Sequence, residues 1–108
     1  MTTASVPNLR ETFQRLLAEK KQEKYVLRLY VAGMTARSMN AVAALKTLCE
    51  QLLPGRYELE IINLLEHPEL AEAKEILATP TLVKELPLPV RRLVGDLMKP
   101  DQVILVLQ

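Results

Sequence analysis

The sequence contains a single cysteine, Cys49, a single histidine, His67, and no tryptophan. One cysteine cannot form an intramolecular disulfide, which is typical of proteins in the reducing cytosol. One histidine without a second ligand type at metal-binding spacing argues against a zinc centre. The three glycines, at positions 33, 55 and 95, are isolated, so there is no glycine-rich loop that could bind phosphate.

Long apolar runs and an excess of charge of one sign are also missing. The apolar stretches fall far short of the roughly 20 residues that span a bilayer, and the N-terminus lacks the pattern of a signal peptide. The formal net charge is +1, so no strong field attracts nucleic acid or an anionic membrane. Three tyrosines and one phenylalanine form no evident stacking platform for bases. We expect a cytoplasmic protein that binds neither nucleic acid nor a membrane.

What the sequence does contain is enough apolar residues for one compact domain. Of the 108 residues, 49% are hydrophobic, and chains of this length usually form one domain. We expect residues 1–7 to be loose, residues 1–23 to be an N-terminal extension, and residues 24–108 to be the domain itself. An amphipathic helix should start at Asn8, which forms a capping box with Glu11. Its apolar stripe consists of Leu9, Phe13, Leu16 and Leu17.

The first two strands and the helix between them follow from propensity and periodicity. Residues 25–32 and 57–65 are rich in β-branched, aromatic and apolar types, which predicts strands, and Arg28 is the only charge in the first. Between them we predict a helix that Ser38 caps and that ends at about Leu53. The residues expected on its buried face are Val42, Leu45, Leu48, Cys49 and Leu52. This order indicates a right-handed crossover between parallel strands.

A third helix and two short strands are predicted further along the chain. Pro68 stands at a first helical position, and the helix should reach about Ala78, because the residue before a proline is disfavoured in the helical region. Residues 81–83 and 90–94 are predicted as short antiparallel strands. The whole order predicts an α/β fold of the thioredoxin-like plan, in which the bond before Pro80 would be cis.

The last predicted element conflicts with this plan. A thioredoxin-like fold requires a helix at residues 102–108. The local sequence V-I-L-V-L, however, is short and β-branched, which predicts a strand. Conflicts of this kind are typical of functional or switchable regions.

The chemistry of a thiol oxidoreductase is absent from the expected place. Such enzymes carry C-x-x-C after the first strand, where a helix N-terminus lowers the thiol pKa. Residues 33–38 of this chain read G-M-T-A-R-S and contain no thiol. Cys49 lies on an apolar helix face, where an inert packing role is expected. A cap or surface role is expected for His67.

The charged residues do not indicate a catalytic site. Five glutamates alternate along the second strand or gather at a helix start, as residues of a solvated face do. They are Glu58, Glu60, Glu66, Glu69 and Glu72. Lys84, Arg91 and Arg92 are predicted to form a small basic patch on a strand pair, where plain surface charge is favoured over a binding role.

Four segments of the chain are similar to one protein family. They read Y-V-L-R-L-Y-V-A-G at residues 25–33, P-E-L-A-E at 68–72, I-L-A-T-P-T-L at 76–82 and L-P-L-P-V-R-R-L-V-G-D-L at 86–97. In this combination the chain resembles the circadian clock protein family KaiB. The resemblance extends from about residue 24 to residue 107 without a gap.

The resemblance implies a metamorphic protein without enzymatic activity or cofactor. It implies a ground state with the order βαββααβ, usually in a homotetramer, and a rarer thioredoxin-like monomer, βαβαββα, that binds the KaiC ATPase ring. It further implies modulation of KaiC autophosphorylation and dephosphorylation, capture of KaiA, and competition with a sensor kinase. We therefore expect a homo-oligomer, a tetramer or else a dimer, in which residues 102–108 form a strand.

The resemblance also implies roles for particular residues. The helix at residues 68–78 would contact KaiC, and the strand at residues 56–62 would offer an edge to KaiA. The residues implied in partner binding are Glu69, Glu72, Lys74, Lys84, Arg91, Arg92, Glu58 and Glu60. Those implied in the change of fold are Pro80, Pro87, Pro89, Gly95, Asp96 and Val106. Leu70, Ile76 and Leu77 are expected to be core residues.

The chain departs from the family pattern at several places. Residues 33–38 replace G-N-T-P-N-S, Val106 and Gln108 replace a glycine and an aspartate, and Glu58 and Glu60 add negative charge to the KaiA edge. These departures favour a divergent KaiB protein that binds KaiC or a KaiC homologue. One alternative is a signalling or stress adaptor that acts on a KaiC homologue outside the clock, with KaiA capture lost. The enzymatic alternative is a thiol-dependent reductase.

Overall fold

The computed structural model describes residues 8–19 and 24–108, with the side chains of all of these except residues 16–19. The predictions for residues 1–7 and for the side chains of Leu16 and Leu17 lie outside the described residues. The elements are α1 (Leu9–Glu19), β1 (Tyr25–Val31), α2 (Ala36–Leu52), β2 (Tyr57–Asn63), α3 (Pro68–Ala73), β3 (Thr81–Leu86), β4 (Arg91–Val94) and α4 (Pro100–Leu107).

The four strands form one sheet in the order β2-β1-β3-β4. β1 and β2 are parallel, as the crossover through α2 requires, whereas β3 is antiparallel to both β1 and β4. After α1 the order is βαβαββα, which confirms the predicted α/β fold of thioredoxin-like plan. The order βαββααβ for a free oligomer stays a prediction.

The helices bury apolar side chains on both faces of the sheet. Leu27, Leu29 and Leu82 point to the face where α1, α2 and α4 build the main core. Tyr30 and Val83 point to the opposite face, where α3 and the chain around it cover a smaller apolar cluster. Successive residues of a strand alternate between these two environments, as the pleat dictates.

The start of α1 is capped as predicted, but that of α2 is not. The backbone N–H of Glu11 donates to Asn8 Oδ1 at 3.1 Å. In α2 the N-cap is Thr35, whose Oγ1 accepts from the backbone N–H of Ser38 at 3.1 Å. Ser38 is therefore the third helical residue, and the prediction of a Ser38 cap is wrong because Thr35 supplies the oxygen three residues earlier.

The C-terminal segment is a helix, so the prediction of a strand at residues 102–108 is wrong for this structure. α4 has Pro100 in its first turn together with Asp101, and both favour a helix start. The residues buried at i, i+3 and i+4 spacing are Val103, Ile104, Val106 and Leu107. Valine and isoleucine favour strands, but strand propensities differ by only about 1 kcal/mol between residue types. Burial of this apolar stripe against the sheet outweighs that preference.

Helix α3 ends at Ala73, five residues before the predicted end at Ala78. Glu75 has a φ of 55°, in the left-handed region. The backbone N–H of Ile76 donates to Ala71 O at 2.8 Å and that of Glu75 to Glu72 O at 3.1 Å. This pair of bonds is the Schellman motif, which closes a helix end and turns the chain away.

Replacing Glu75 with glycine is expected to raise the free energy of unfolding by about 0.5–1 kcal/mol, because glycine adopts the left-handed conformation without a Cβ clash. The change should be visible as a higher midpoint in urea. The matched control is Glu72→Gly inside α3, which should lower stability by about the same amount. Destabilisation of equal size by both variants would contradict this account of the helix end.

The peptide bond Thr79–Pro80 is cis, which confirms the prediction for Pro80. The bonds Leu86–Pro87 and Leu88–Pro89 are cis as well. Pro80 directly precedes β3, and the other two lie in the turn between β3 and β4. Among the helices that the structure describes, none combines the length and the hydropathy of a membrane span.

Candidate partner-binding surface

One arginine of the edge strand β4 forms two hydrogen bonds with the C-terminal end of α3. Arg92 Nη1 donates to Glu75 O at 2.9 Å, and Nη2 donates to Lys74 O. These carbonyls are at the helix C-terminus, where positive charge is favourable. The structure therefore brings Lys74 and Arg92, two of the predicted contact residues, into direct contact.

The outer side of α3 is charged. Glu69, Glu72 and Lys74 are exposed, as a partner-binding role requires. The inner side carries Leu70 and Ala71, which pack against the smaller apolar cluster, and His67 lies at the N-cap position without a side-chain cap bond. The imidazole of His67 is exposed, which agrees with the surface alternative of its predicted cap or surface role, and its Nδ1 lies 3.7 Å from Glu69 Oε2.

Leu77 is the most exposed large apolar side chain among the described residues, at 97% of its full accessible area. The prediction that it packs in the core is wrong, whereas Ile76 is buried and Leu70 is half-buried as predicted. The left-handed turn at Glu75 sends Ile76 inward and leaves Leu77 in solvent. Leu77 therefore presents apolar area in solvent beside the charged helix α3, and a protein bound there would bury it.

Lys84 does not belong to a surface patch, so this part of the prediction is wrong. Its exposed fraction is 0%. It lies two residues after Leu82 in β3 and therefore on the same face of the sheet, the face of the main core. Arg91 pairs with Lys84 across the ladder, whereas Arg92 pairs with Val83. Because Arg91 and Arg92 are neighbours on a strand, they point to opposite faces. The three cations therefore form no common patch.

The predicted KaiA edge is an edge of the sheet. Within residues 8–19 and 24–108, the one strand that pairs with β2 is β1, so no described strand covers the outer side of β2. Its two exposed carboxylates are paired with cations: Glu58 Oε1 lies 3.5 Å from Lys24 Nζ, and Glu60 Oε1 accepts from Arg28 Nε at 3.1 Å. Arg28 Nη1 also lies 3.6 Å from Glu85 Oε2, so a stripe of alternating charge crosses three strands.

The residues implied in a change of fold lie in the second half of the chain. Gly95 has a φ of 129° and stands directly after β4. Asp96 Oδ1 accepts from the backbone N–H of Met98 at 2.9 Å. Val106 is buried on α4, where the extra bulk relative to glycine fills core space. With Pro80, Pro87 and Pro89, these residues lie beside or within β3, β4 and α4, and their role in a change of fold stays a prediction.

Thiol chemistry finds no support in the geometry. Cys49 is fully buried in α2, and burial raises the pKa of its thiol to about 12, with a smaller contribution from Glu50. A thiol in this state is almost entirely protonated at neutral pH and is a poor nucleophile.

In residues 8–19 and 24–108, no group of three His, Cys, Asp or Glu side chains is arranged to hold a metal ion.

The exposure of Leu77 and the ion pairs of Arg28 do not follow from the sequence pattern. The exposure of Leu77 was missed because the turn at Glu75 has no proline or glycine to mark it. Arg28 was noted only as an interruption of an apolar strand, although it forms the centre of the charged stripe. A lone arginine in an otherwise apolar strand was the available signal, because a charge at such a position is stable only beside a partner.

Comparison with solved structures defines the class of fold. The N-terminal domain of SasA of Synechococcus elongatus is similar with a TM-score of 0.68, at 21% identity, over 99% of this chain and 87% of that chain. Mitochondrial thioredoxin 3 of Saccharomyces cerevisiae is similar with a TM-score of 0.60, at 18% identity, over 86% and 82%. At these identities the likeness shows the fold alone, and that fold is thioredoxin-like.

Comparison with sequences defines the family. The KaiB domain matches residues 28–108. The circadian clock oscillator protein KaiB of Gloeothece citriformis is 50% identical over 84 residues, which are 78% of this chain and 79% of that protein. KaiB1 of Synechocystis is 49% identical over 84 residues, 78% and 80% of the two chains. The chain belongs to the KaiB family.

Proposed function

We propose that this protein is a component of a circadian clock that acts without catalysis by binding the ATPase ring of KaiC or of a KaiC homologue. The observation that carries the proposal is the identity of about 50% to circadian clock oscillator proteins over most of the chain. Binding would modulate KaiC autophosphorylation and dephosphorylation. The form that binds would be the thioredoxin-like order βαβαββα.

The geometry supports α3 and its C-terminal turn as the contact surface. This surface combines exposed Glu69, Glu72 and Lys74 with the apolar anchor Leu77. Arg92 holds the turn in place from β4. In an interface here the charged groups would steer the encounter, and burial of Leu77 would supply affinity.

A direct test is titration of the full chain into a purified KaiC ATPase ring, measured by calorimetry, with each KaiC homologue of the source cell taken separately. Saturable binding to at least one ring, together with a changed rate of KaiC dephosphorylation, is expected. Absence of binding to every KaiC ring would refute the proposal.

Replacing Leu77 with alanine is expected to weaken binding to the ring about tenfold, because loss of an anchor of this size removes roughly 1–2 kcal/mol of apolar burial. Stability should be unchanged, since the side chain is already in solvent. The matched control is Leu88→Ala in the turn at the opposite end of β3, where the leucine is 73% exposed. Equal losses of affinity in both variants would exclude Leu77 as a specific anchor.

A second candidate function is an adaptor in signalling or stress response that binds a KaiC homologue but no longer captures KaiA. The ion pairs of Glu58 and Glu60 along the β2 edge favour it, because a strand added there would have to match a row of charges. Addition of KaiA to the complex with the ring separates the two candidates.

Assembly of the free chain into a tetramer or a dimer stays a prediction.

A further inference from the structure

The N-terminal helix α1 lies outside the part of the chain that matches the KaiB domain, which begins at residue 28. It is nevertheless part of the main core. Phe13 is 1% exposed and is one of the largest fully buried side chains among the described residues. α1 also contacts α4 directly. The arrangement places this additional helix against the segment whose local sequence favours a strand.

A chain of two contacts leads from α1 to the end of α4. The rings of Phe13 and Tyr25 meet edge to face, with centroids 6.0 Å apart and planes at 84°. The hydroxyl of Tyr25 donates to Leu107 O at 3.0 Å in a buried position. The last carbonyls of a helix lack partners within the helix, so this bond satisfies one of them. Phe13 thereby fixes the ring that holds the end of α4.

A further contact attaches α1 to the neighbouring helix. Arg10 Nη1 donates to Gln51 Oε1 of α2 at 3.2 Å. α1 thus touches both α2 and α4, while Leu9 packs at the margin of the same core. A helix attached at several points resists displacement better than one attached by a single side chain.

The C-terminal segment depends on such support. α4 has eight residues, which is too short for a stable helix in isolation. Because its valines and isoleucine also fit a strand, packing decides between the two conformations. We propose that α1 is an intramolecular latch that holds residues 100–107 in the helical conformation and so favours the order βαβαββα. Its consequence for KaiC binding rests on the proposed function.

The test uses the exposed position Gln14 of α1 in the full chain. Gln14→Pro interrupts α1, whereas Gln14→Ala retains it and is the control. The population of helix at residues 103–106 is read from NMR Cα chemical shifts. Gln14→Pro is expected to reduce the ratio of latched helix to other conformations by up to about 100-fold. A helical population equal to that of Gln14→Ala would overturn the latch.

A milder variant decides the question should Gln14→Pro unfold the whole chain. Tyr25→Phe keeps the ring against Phe13 but removes the hydroxyl that donates to Leu107 O. Amide hydrogen exchange in the last turn of α4 should accelerate up to about tenfold, the effect of one buried hydrogen bond. Unchanged exchange there would overturn the connection through Tyr25.

Binding to the KaiC ring is measured on the same samples. With a latch, Gln14→Pro raises the apparent Kd in inverse proportion to the helical fraction. Failure of Gln14→Ala to bind any of the KaiC rings would refute the proposed function, and the NMR comparison would still decide whether α1 stabilises α4. The two ideas can therefore fail separately.

Discussion

Replacing Ile104 with alanine is expected to lower the free energy of unfolding by about 2–5 kcal/mol, as truncation of a large aliphatic side chain in a core does. Ile104 has no exposed surface and belongs to the stripe of α4 that packs into the main core. Urea denaturation followed by circular dichroism measures the change. Because α4 belongs to the form proposed to bind KaiC, the variant should also bind the ring more weakly.

The neighbouring Leu105 is the control, since it is 46% exposed and points away from the core. Leu105→Ala should cost no more than about 0.5 kcal/mol, as is usual for surface substitutions. Losses of similar size at both sites would therefore contradict a helix packed as described.

The elements of the first half could be predicted because local and global preferences agree there. β1 is a largely apolar run of strand length, β2 begins with apolar residues that alternate with Glu58 and Glu60, and the apolar positions of α2 repeat with the helical period. The parallel pairing of β1 and β2 could also be predicted from the sequence, because two strands joined by a helix usually lie parallel in the same sheet. The cap of α2 was misplaced by three residues since threonine and serine both fit the role.

The second half was harder because long-range packing decides its structure. Residues 102–108 have the propensity of a strand, yet α4 is stabilised by contacts with β3, β4 and α1 that no local rule contains. The early end of α3 depends on a left-handed glutamate, a conformation that sequence patterns rarely assign to this residue type.

The positions of the elements in the candidate site were predictable, whereas the contacts of their side chains were not. α3 and the β2 edge are where the family resemblance placed them, and the outward carboxylates of α3 are exposed. The supposed basic patch failed because strand alternation separates Arg91 from Arg92, a rule that the sequence alone could have supplied. Burial of Lys84 could not be foreseen, because lysine is among the residues least often buried.

The thiol of Cys49 is expected to react with iodoacetamide at pH 8 about 1000-fold more slowly in the folded protein than in the unfolded chain. Burial raises its pKa from the ordinary value of 9.0 to about 12, and only the thiolate reacts. The measurement compares alkylation rates with and without denaturant. Fast alkylation of the folded protein would contradict the buried thiol and favour the reductase alternative, which an insulin-reduction assay tests in parallel with Cys49→Ser.

The raised pKa also fixes the sign of a pH effect on stability. The folded state holds the proton of Cys49 more tightly, so the unfolded state loses it first as pH rises above about 9. Cys49 therefore contributes full stability below that pH and loses the contribution progressively towards pH 12. The variant Cys49→Ala lacks this titration but retains all the others. One of these is the titration of Tyr57, because the hydrogen bond to Glu50 raises the pKa of Tyr57 to about 12. The stability advantage of the natural chain over Cys49→Ala should accordingly shrink above pH 9, and a constant difference would show that the thiol is not held protonated by the core.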